Sequence, residues 1–379
     1  KHHILYIKKP IRNVLILYFS LTLLFFSIIY KFLGNSFALD SPNLRKKHQS
    51  NVPQIGGIVF GPLLILAGVI YEAIPSWYII GGFATIILGI VDDVKHISWK
   101  IKILVQIILF IFISYVHWDE FHYIKFYNLT FHLSQMELLS VFLFWFIGIY
   151  NAVNLIDGLD GLAGGFMILI FAASSLFGSS SFTEINLIFL IITLGFLYYN
   201  IRPAKLFMGD AGSLFFGFHT ATLPLLYYYH TNLNNSLNMT PFILFASYLI
   251  ADTIRVFITR IADKKSPMNA DTIHFHHLIL KQSGSYIASI SSIYFITLIT
   301  SIIAAMSFFV ELSTNVMFIH LALILIFILT PPVQTYVGYI TKTVKPLYNW
   351  QKDKNERTPY LPRTLYVIFL QICLLISLL

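Results

Sequence analysis

The chain has 379 residues, 57% of them hydrophobic and 11% charged, with a formal net charge of +8. A soluble domain carries roughly 25% charged residues, so this composition excludes an ordinary soluble fold. Apolar runs of bilayer length, about 20 residues each, recur from end to end and are continuous rather than alternating. They describe an all-α polytopic integral membrane protein and not a β-barrel.

In chain order the runs predict eleven helices, at about 11–33, 55–72, 76–92, 100–117, 136–153, 162–178, 184–201, 212–229, 241–259, 286–309 and 316–337. A twelfth, at about 364–379, is short for a span. Lys8, Lys9 and Arg12 before the run Val14 to Tyr30 imitate a signal peptide, but no small-residue cleavage site follows, so the run reads as a retained first helix. The single Cys, Cys373, provides no disulfide framework. The chain divides into a polytopic body, 1–337, and a basic tail, 338–379, with no soluble domain and no repeat.

Helix parity sorts the connections onto two faces. If 34–54 faces the cytoplasm, so do the segments around 93–99, 154–161, 202–211, 260–285 and 338–363. That face takes 20 of the 25 Lys and Arg, which is the orientation that the positive-inside rule favours. It also takes ten of the eleven Asp, whereas five of the six Glu lie on or near the other face. A solvation need would not separate the two acids. A compact metal and phosphate pocket would, because the shorter Asp holds its oxygens closer to a rigid backbone. The positive balance reports orientation and attraction to anionic lipid or phosphate, not nucleic acid.

Five polar segments share this face. The first is Asp40-Ser41-Pro42-Asn43-Leu44-Arg45-Lys46-Lys47-His48, followed by Pro53 and Gly56-Gly57; its cations suit anionic head groups or the phosphate of a lipid substrate. The second is Asp92-Asp93 at a helix C-terminus, where both the helix dipole and mutual repulsion disfavour acids, followed by Lys100 and Lys102. The third, Asn151 to Leu162, sets Asn154, Asp157 and Asp160 three residues apart, so that on a helix they share a face. The fourth, Phe207-Met208-Gly209-Asp210-Ala211-Gly212-Ser213, puts Asp210 where a plain N-cap or a ligand-binding acid would stand. The fifth runs from Asp252 and Arg255 through Lys264 and Lys265 to His274, His276 and His277. The H-x-H-H spacing without a nearby Cys is unlike a structural zinc site, and hydrogen bonding to diphosphate or sugar suits it better.

These five motifs, in this order, resemble the polyprenyl-phosphate N-acetylhexosamine-1-phosphate transferase family, and in particular its bacterial undecaprenyl-phosphate N-acetylglucosamine-1-phosphate transferases. The likeness covers about residues 11–337. One departure is Thr272, which stands where relatives carry a basic residue. The resemblance implies that a sugar-1-phosphate passes from a UDP-N-acetylhexosamine to undecaprenyl phosphate, releasing UMP, at the cytoplasmic face of the bacterial inner membrane. N-acetylglucosamine is the expected sugar, with N-acetylgalactosamine, N-acetylfucosamine and N-acetylquinovosamine as alternatives. It implies Mg²⁺, with Mn²⁺ as a substitute, at Asp210 and Asn154. It assigns Asp157 and Asp160 to the nucleoside and Asp92 and Asp93, with Asp210, to the chemistry. His274, His276, His277 and Arg255 fall to the diphosphate and sugar, and Arg45, Lys46, Lys100 and Lys102 to the lipid phosphate. The likeness leaves room for a homodimer. Two other classes compete: a transporter, whose site would lie near the bilayer midplane, and a non-catalytic membrane assembly subunit, which has no need of five converging polar motifs.

Overall fold

A computed structural model describes residues 9–34, 38–40, 52–117, 123–177, 179–231, 236–266 and 273–329. Helix α1 spans Lys9–Leu33, and two short strands, β1 Leu39–Asp40 and β2 Val52–Pro53, pair antiparallel behind it. Helices α2 Gly56–Ile70, α3 Ser76–Lys95 and α4 Trp99–Val116 follow. A hairpin, β3 Tyr123–Phe126 and β4 Leu129–His132, leads into α5 Gln135–Ile156, α6 Leu162–Ser174, α7 Ser180–Asn200 and α8 Gly209–Thr231. Strand β5 Ser236–Asn238 precedes α9 Thr240–Phe245, α10 Ser247–Ala262, α11 Phe275–Ser283, α12 Tyr286–Met306 and α13 Thr314–Leu329.

The protein is a polytopic helical membrane protein. Among the described residues six helices are long and apolar enough to cross a membrane: α1, α3, α4, α5, α7 and α12. α2, α6 and α13 are apolar but shorter. α8 is the central helix, packed on α2, α3 and α5, and it is buried from Ala211 to Leu226. Several of its polar side chains find partners inside the protein: Thr220 and Thr222 donate to the carbonyls of Phe216 and Phe218 at 2.8 Å, and His219 Nδ1 meets the Tyr78 hydroxyl at 2.8 Å, while His219 Nε2 is buried without a partner among the described residues. A helix shielded from lipid on all sides can carry such groups because its neighbours, not hydrocarbon, surround them.

Three features depart from expectation. The chain is not wholly helical: β3, β4 and β5 form a three-stranded sheet in the order β4-β3-β5, with β5 parallel to β3. The helix expected over 241–259 is broken at Ala246 into α9 and α10. Ser247 Oγ donates to the carbonyls of Ile243 at 3.0 Å and Leu244 at 2.8 Å, competing with the backbone ladder where the helix changes course. The segment 260–285 contains an unforeseen helix, α11. The proposed last helix, 364–379, and the tail 338–379 lie outside the described residues, as do Arg45 and Lys46.

Candidate active site

Helix direction brings the C-terminal ends of α3 and α5 and the N-terminal ends of α4 and α8 to one end of the bundle. The segment before α2 is tied there by backbone pairing: Gly56 N–H donates to Phe207 O at 2.9 Å, Gly57 N–H to Met208 O at 2.8 Å, and Phe207 N–H to Pro53 O at 2.9 Å.

Asp92 and Asp93 are both buried in the last turn of α3, and each has its own partner. Asp93 turns to α8. One of its oxygens accepts the Asp210 N–H at 2.7 Å, the other the Ala211 N–H at 3.1 Å. The unfavourable end of one helix dipole is thus placed against the favourable end of another. Gly209 makes room: it has φ +68°, and a Cβ there would lie 2.5 Å from an Asp93 oxygen. Asp210 is therefore not the plain N-cap that its position suggested; the cap comes from another helix, and the Asp210 carboxylate is released for other work. Asp92 and Asp210 converge on one ammonium. Lys102, in the first turn of α4, is bonded to Asp92 Oδ2 and lies 2.9 Å from Asp210 Oδ2. Lys100 is exposed and stands 5.9 Å over its neighbour's Trp99 ring, apart from this junction.

Asn154, near the end of α5, accepts the Ser213 hydroxyl at 2.6 Å, which joins α5 to the first turn of α8. One turn back, Asn151 and Gln106 of α4 exchange amide hydrogen bonds at 2.7 and 3.1 Å. The helix stops at Ile156, and this corrects the expected common face of Asn154, Asp157 and Asp160. Asp157 is the C-cap residue. Burial first, then the neighbouring Asp210, Asp93 and Asp160, push its carboxyl up to about 8. Asp160 faces another way: its Oδ2 accepts the Ala204 N–H at 3.2 Å, and its carbonyl accepts the Tyr286 hydroxyl. Its carboxylate holds the loop that leads to Asp210.

The histidines form a cluster against the same turn. His274 Nδ1 is 2.9 Å from Asp252 Oδ2, and Asp252 Oδ1 accepts Arg255 at 2.7 Å and the Phe275 N–H at 3.1 Å. Arg255 also donates to Ile273 O at 2.6 Å. The rings of His274 and His276 stack 5.8 Å apart, and those of His276 and His277 lie 4.2 Å apart. A Cβ on Gly158 would lie 2.5 Å from His276 Nε2 and 3.0 Å from His277 Nε2, so the imidazoles rest directly on the turn. His276 is fully buried, and neither ring nitrogen has a hydrogen-bond partner. Burial above all, then His277, holds its pKa well below the usual imidazole range, so the ring is neutral. An imidazole so placed is short of a polar partner.

The structure thus brings Asp92, Asp93, Lys102, Asn154, Asp157 and Asp210 together, and places His274, His276, His277 and Arg255 beside Gly158. Sequence reasoning assigned no role to Asp252, which orients His274. Its signal was present in the three-residue spacing to Arg255 on one helix face. Ser213, the partner of Asn154, gave no signal beyond its place in the fourth motif.

Fold and site define an integral membrane protein with an acidic, lysine-bridged centre at one end of its helices. The glycosyl transferase family 4 pattern matches residues 76–228. The chain is 32% identical over 330 residues to a probable undecaprenyl-phosphate N-acetylglucosaminyl 1-phosphate transferase of Bacillus subtilis, covering 84% of this chain and 90% of the relative. It is 29% identical over 261 residues to an undecaprenyl-phosphate alpha-N-acetylglucosaminyl 1-phosphate transferase of Thermotoga maritima, covering 69% and 79%. It is 33% identical over 218 residues to a phospho-N-acetylmuramoyl-pentapeptide-transferase of Staphylococcus carnosus, covering 51% and 67%. The chain belongs to glycosyl transferase family 4.

Proposed function

We propose that this protein transfers N-acetylglucosamine-1-phosphate from UDP-N-acetylglucosamine to undecaprenyl phosphate, releasing UMP, as the first membrane step of an envelope polysaccharide. Eleven crossings with the site facing the cytoplasm of a bacterial inner membrane suit a soluble donor that meets a lipid acceptor at the interface. The observation that carries the reading is the junction of Asp92, Lys102 and Asp210 beside Asn154 and the imidazole-lined turn. The relatives named for this reaction support it.

The donor set fits a magnesium ion. Asp92 and Asp210 share one ammonium, and Asp157 lies beside Asp210 with no cation of its own among the described residues, so the cluster lacks positive charge. Among the described residues no three His, Cys, Asp or Glu side chains form a metal cage. Mg²⁺ is commonly held by one or two carboxylates with substrate phosphates completing its shell. Asp210 and Asn154 would hold it, and Mn²⁺ would substitute. When bound, the ion offsets the charge that develops on the diphosphate as the bond to UMP breaks.

The protein's own groups do the rest. An acceptor phosphate oxygen attacks the β-phosphorus of the donor. The bond from that phosphorus to the bridging oxygen breaks, and the electron pair leaves with UMP. A phosphate monoester has its second pKa at about 6, so at neutral pH the nucleophile is already mostly dianionic and no strong base is needed. Lys102 uses two N–H groups on Asp92 and Asp210, and a lysine ammonium has three; the third points the acceptor phosphate. Asp92 takes a residual proton where one remains. His274, held by Asp252, with His276 and His277, donates to the donor diphosphate and sugar, while Asp157 stands on the nucleoside side.

The test is divalent-cation-dependent UMP release by the purified protein with a panel of UDP-N-acetylhexosamines, with and without undecaprenyl phosphate. Release with the N-acetylglucosamine donor only in the presence of acceptor is expected. Stoichiometric UMP release without acceptor, leaving a phospho-sugar on the protein, would overturn direct attack. No release with any donor, together with substrate counterflow in liposomes, would favour transport.

A further inference from the structure

The turn 157–161 and the imidazole segment 274–277 are distant in sequence. A single helix holds both. Near the start of α12, the Tyr286 hydroxyl donates to the Asp160 carbonyl, and Arg202 stacks 4.4 Å over the Tyr286 ring. Eight residues further on, about 12 Å along the axis, the Tyr294 hydroxyl donates to the Gly161 carbonyl at 2.7 Å. Between them, Ser289 Oγ donates to the His276 carbonyl at 2.6 Å.

The approach of Tyr294 is built into α6. A Cβ on Gly165 would stand 1.8 Å from the Tyr294 hydroxyl oxygen, so the ring passes through space that only glycine leaves open. The turn is anchored from its other side by Asn200, whose Oδ1 accepts the Gly161 N–H at 2.9 Å. α12 packs on α6, α9, α10 and α11, whereas the Asp92–Lys102–Asp210 junction belongs to α3, α4 and α8.

We propose that Tyr294 and Ser289 are positioning residues of the nucleotide-sugar site, fixing the spacing between the Asp157 turn and the imidazole cluster so that both grip one donor molecule. The proposal rests on the function given above. It separates the two substrates: the spacing governs the nucleoside diphosphate sugar and leaves the lipid phosphate, held at the α3–α4–α8 junction, unaffected.

The experiment measures UMP release by the full chain in detergent, titrating UDP-N-acetylglucosamine at saturating undecaprenyl phosphate and then the reverse, for Tyr294→Phe, Ser289→Ala and Ser289→Thr. Loss of one such hydrogen bond raises the donor KM roughly tenfold, with the acceptor KM unchanged. Ser289→Thr keeps the hydroxyl and restores the donor KM. A loss confined to kcat, or equal rises in both KM values, assigns α12 to general packing and overturns the proposal, as do unchanged constants in Tyr294→Phe and Ser289→Ala. If Tyr294→Phe does not fold, the two Ser289 variants decide the matter. A wild-type protein that releases no UMP from any donor refutes the parent function instead, and is distinguishable for that reason.

Discussion

Asp93 offers the sharpest separation of architecture from chemistry. Its carboxylate accepts two backbone N–H groups from the first turn of α8, at 2.7 and 3.1 Å, and the side chain is buried. Those N–H groups have no intrahelical partner, because the first turn of any helix leaves its donors open. Hydrogen bonds to a charged acceptor contribute roughly 1.5–3 kcal/mol each, so Asp93→Ala should cost about 3–5 kcal/mol. Asp93→Asn keeps one acceptor oxygen but presents an amide NH₂ to the second donor, and should cost about 2 kcal/mol. Because the same turn carries Asp210, loosening it displaces the Lys102 partner. Thermal unfolding in detergent, followed alongside turnover per folded molecule, reads both effects. The expected order is wild type above Asp93→Asn above Asp93→Ala in both melting temperature and turnover. Asp92→Asn, which keeps an oxygen for Lys102 to bond while removing the charge, should lower turnover far more than stability. An Asp93→Asn protein that melts with the wild type yet has lost all turnover would refute the reasoning and make Asp93 a chemical group.

Asp210→Asn should nearly abolish turnover and weaken the response to Mg²⁺; near-normal turnover would remove the metal from this residue. His276→Ala should raise the donor KM and leave its acceptor counterpart alone, measured by the same UMP assay, whereas unchanged kinetics would return the imidazole to packing. Asp157 carries a raised carboxyl pKa, about 8 against an ordinary 3.8, so the folded protein holds a proton there that the unfolded chain gives up. This contribution is fully present below about pH 4 and is lost as pH rises toward 8. Without divalent cations, stability should therefore fall by about 1–2 kcal/mol between pH 5 and 8, an amount discounted for the partial exposure of the group. Added Mg²⁺ should oppose the fall, and Asp157→Asn should flatten it in melting curves across that range.

The polytopic helical class was legible because hydrocarbon demands long apolar runs, and an alternation of sides follows from counting them. The same parity put Asp92, Asp157 and Asp210 at one end of the molecule. The break at Ala246 was hidden, since Ser247 reads as an ordinary polar residue until its hydroxyl is seen on the carbonyls of Ile243 and Leu244. The sheet was hidden because β3 and β5 are more than a hundred residues apart and pair only after α5 to α8 have been laid down between them. The course of the Asn154–Asp160 stretch was misjudged for a local reason: three-residue spacing fits a helix face, but α5 ends at Ile156 with Asp157 as its C-cap, and Gly161, in the αL conformation, already caps the next helix.

By itself the sequence determined that this is a multi-spanning membrane protein, and the order of five motifs determined its family. Which acid does what was decided only by tertiary structure. Asp92 and Asp93 are neighbours of one type, yet side chains one residue apart on a helix point about 100° apart. One therefore meets Lys102, while the other meets the open N–H groups of α8 and holds them. No pattern along the chain distinguishes the two, because the difference lies in which helix stands opposite each side chain.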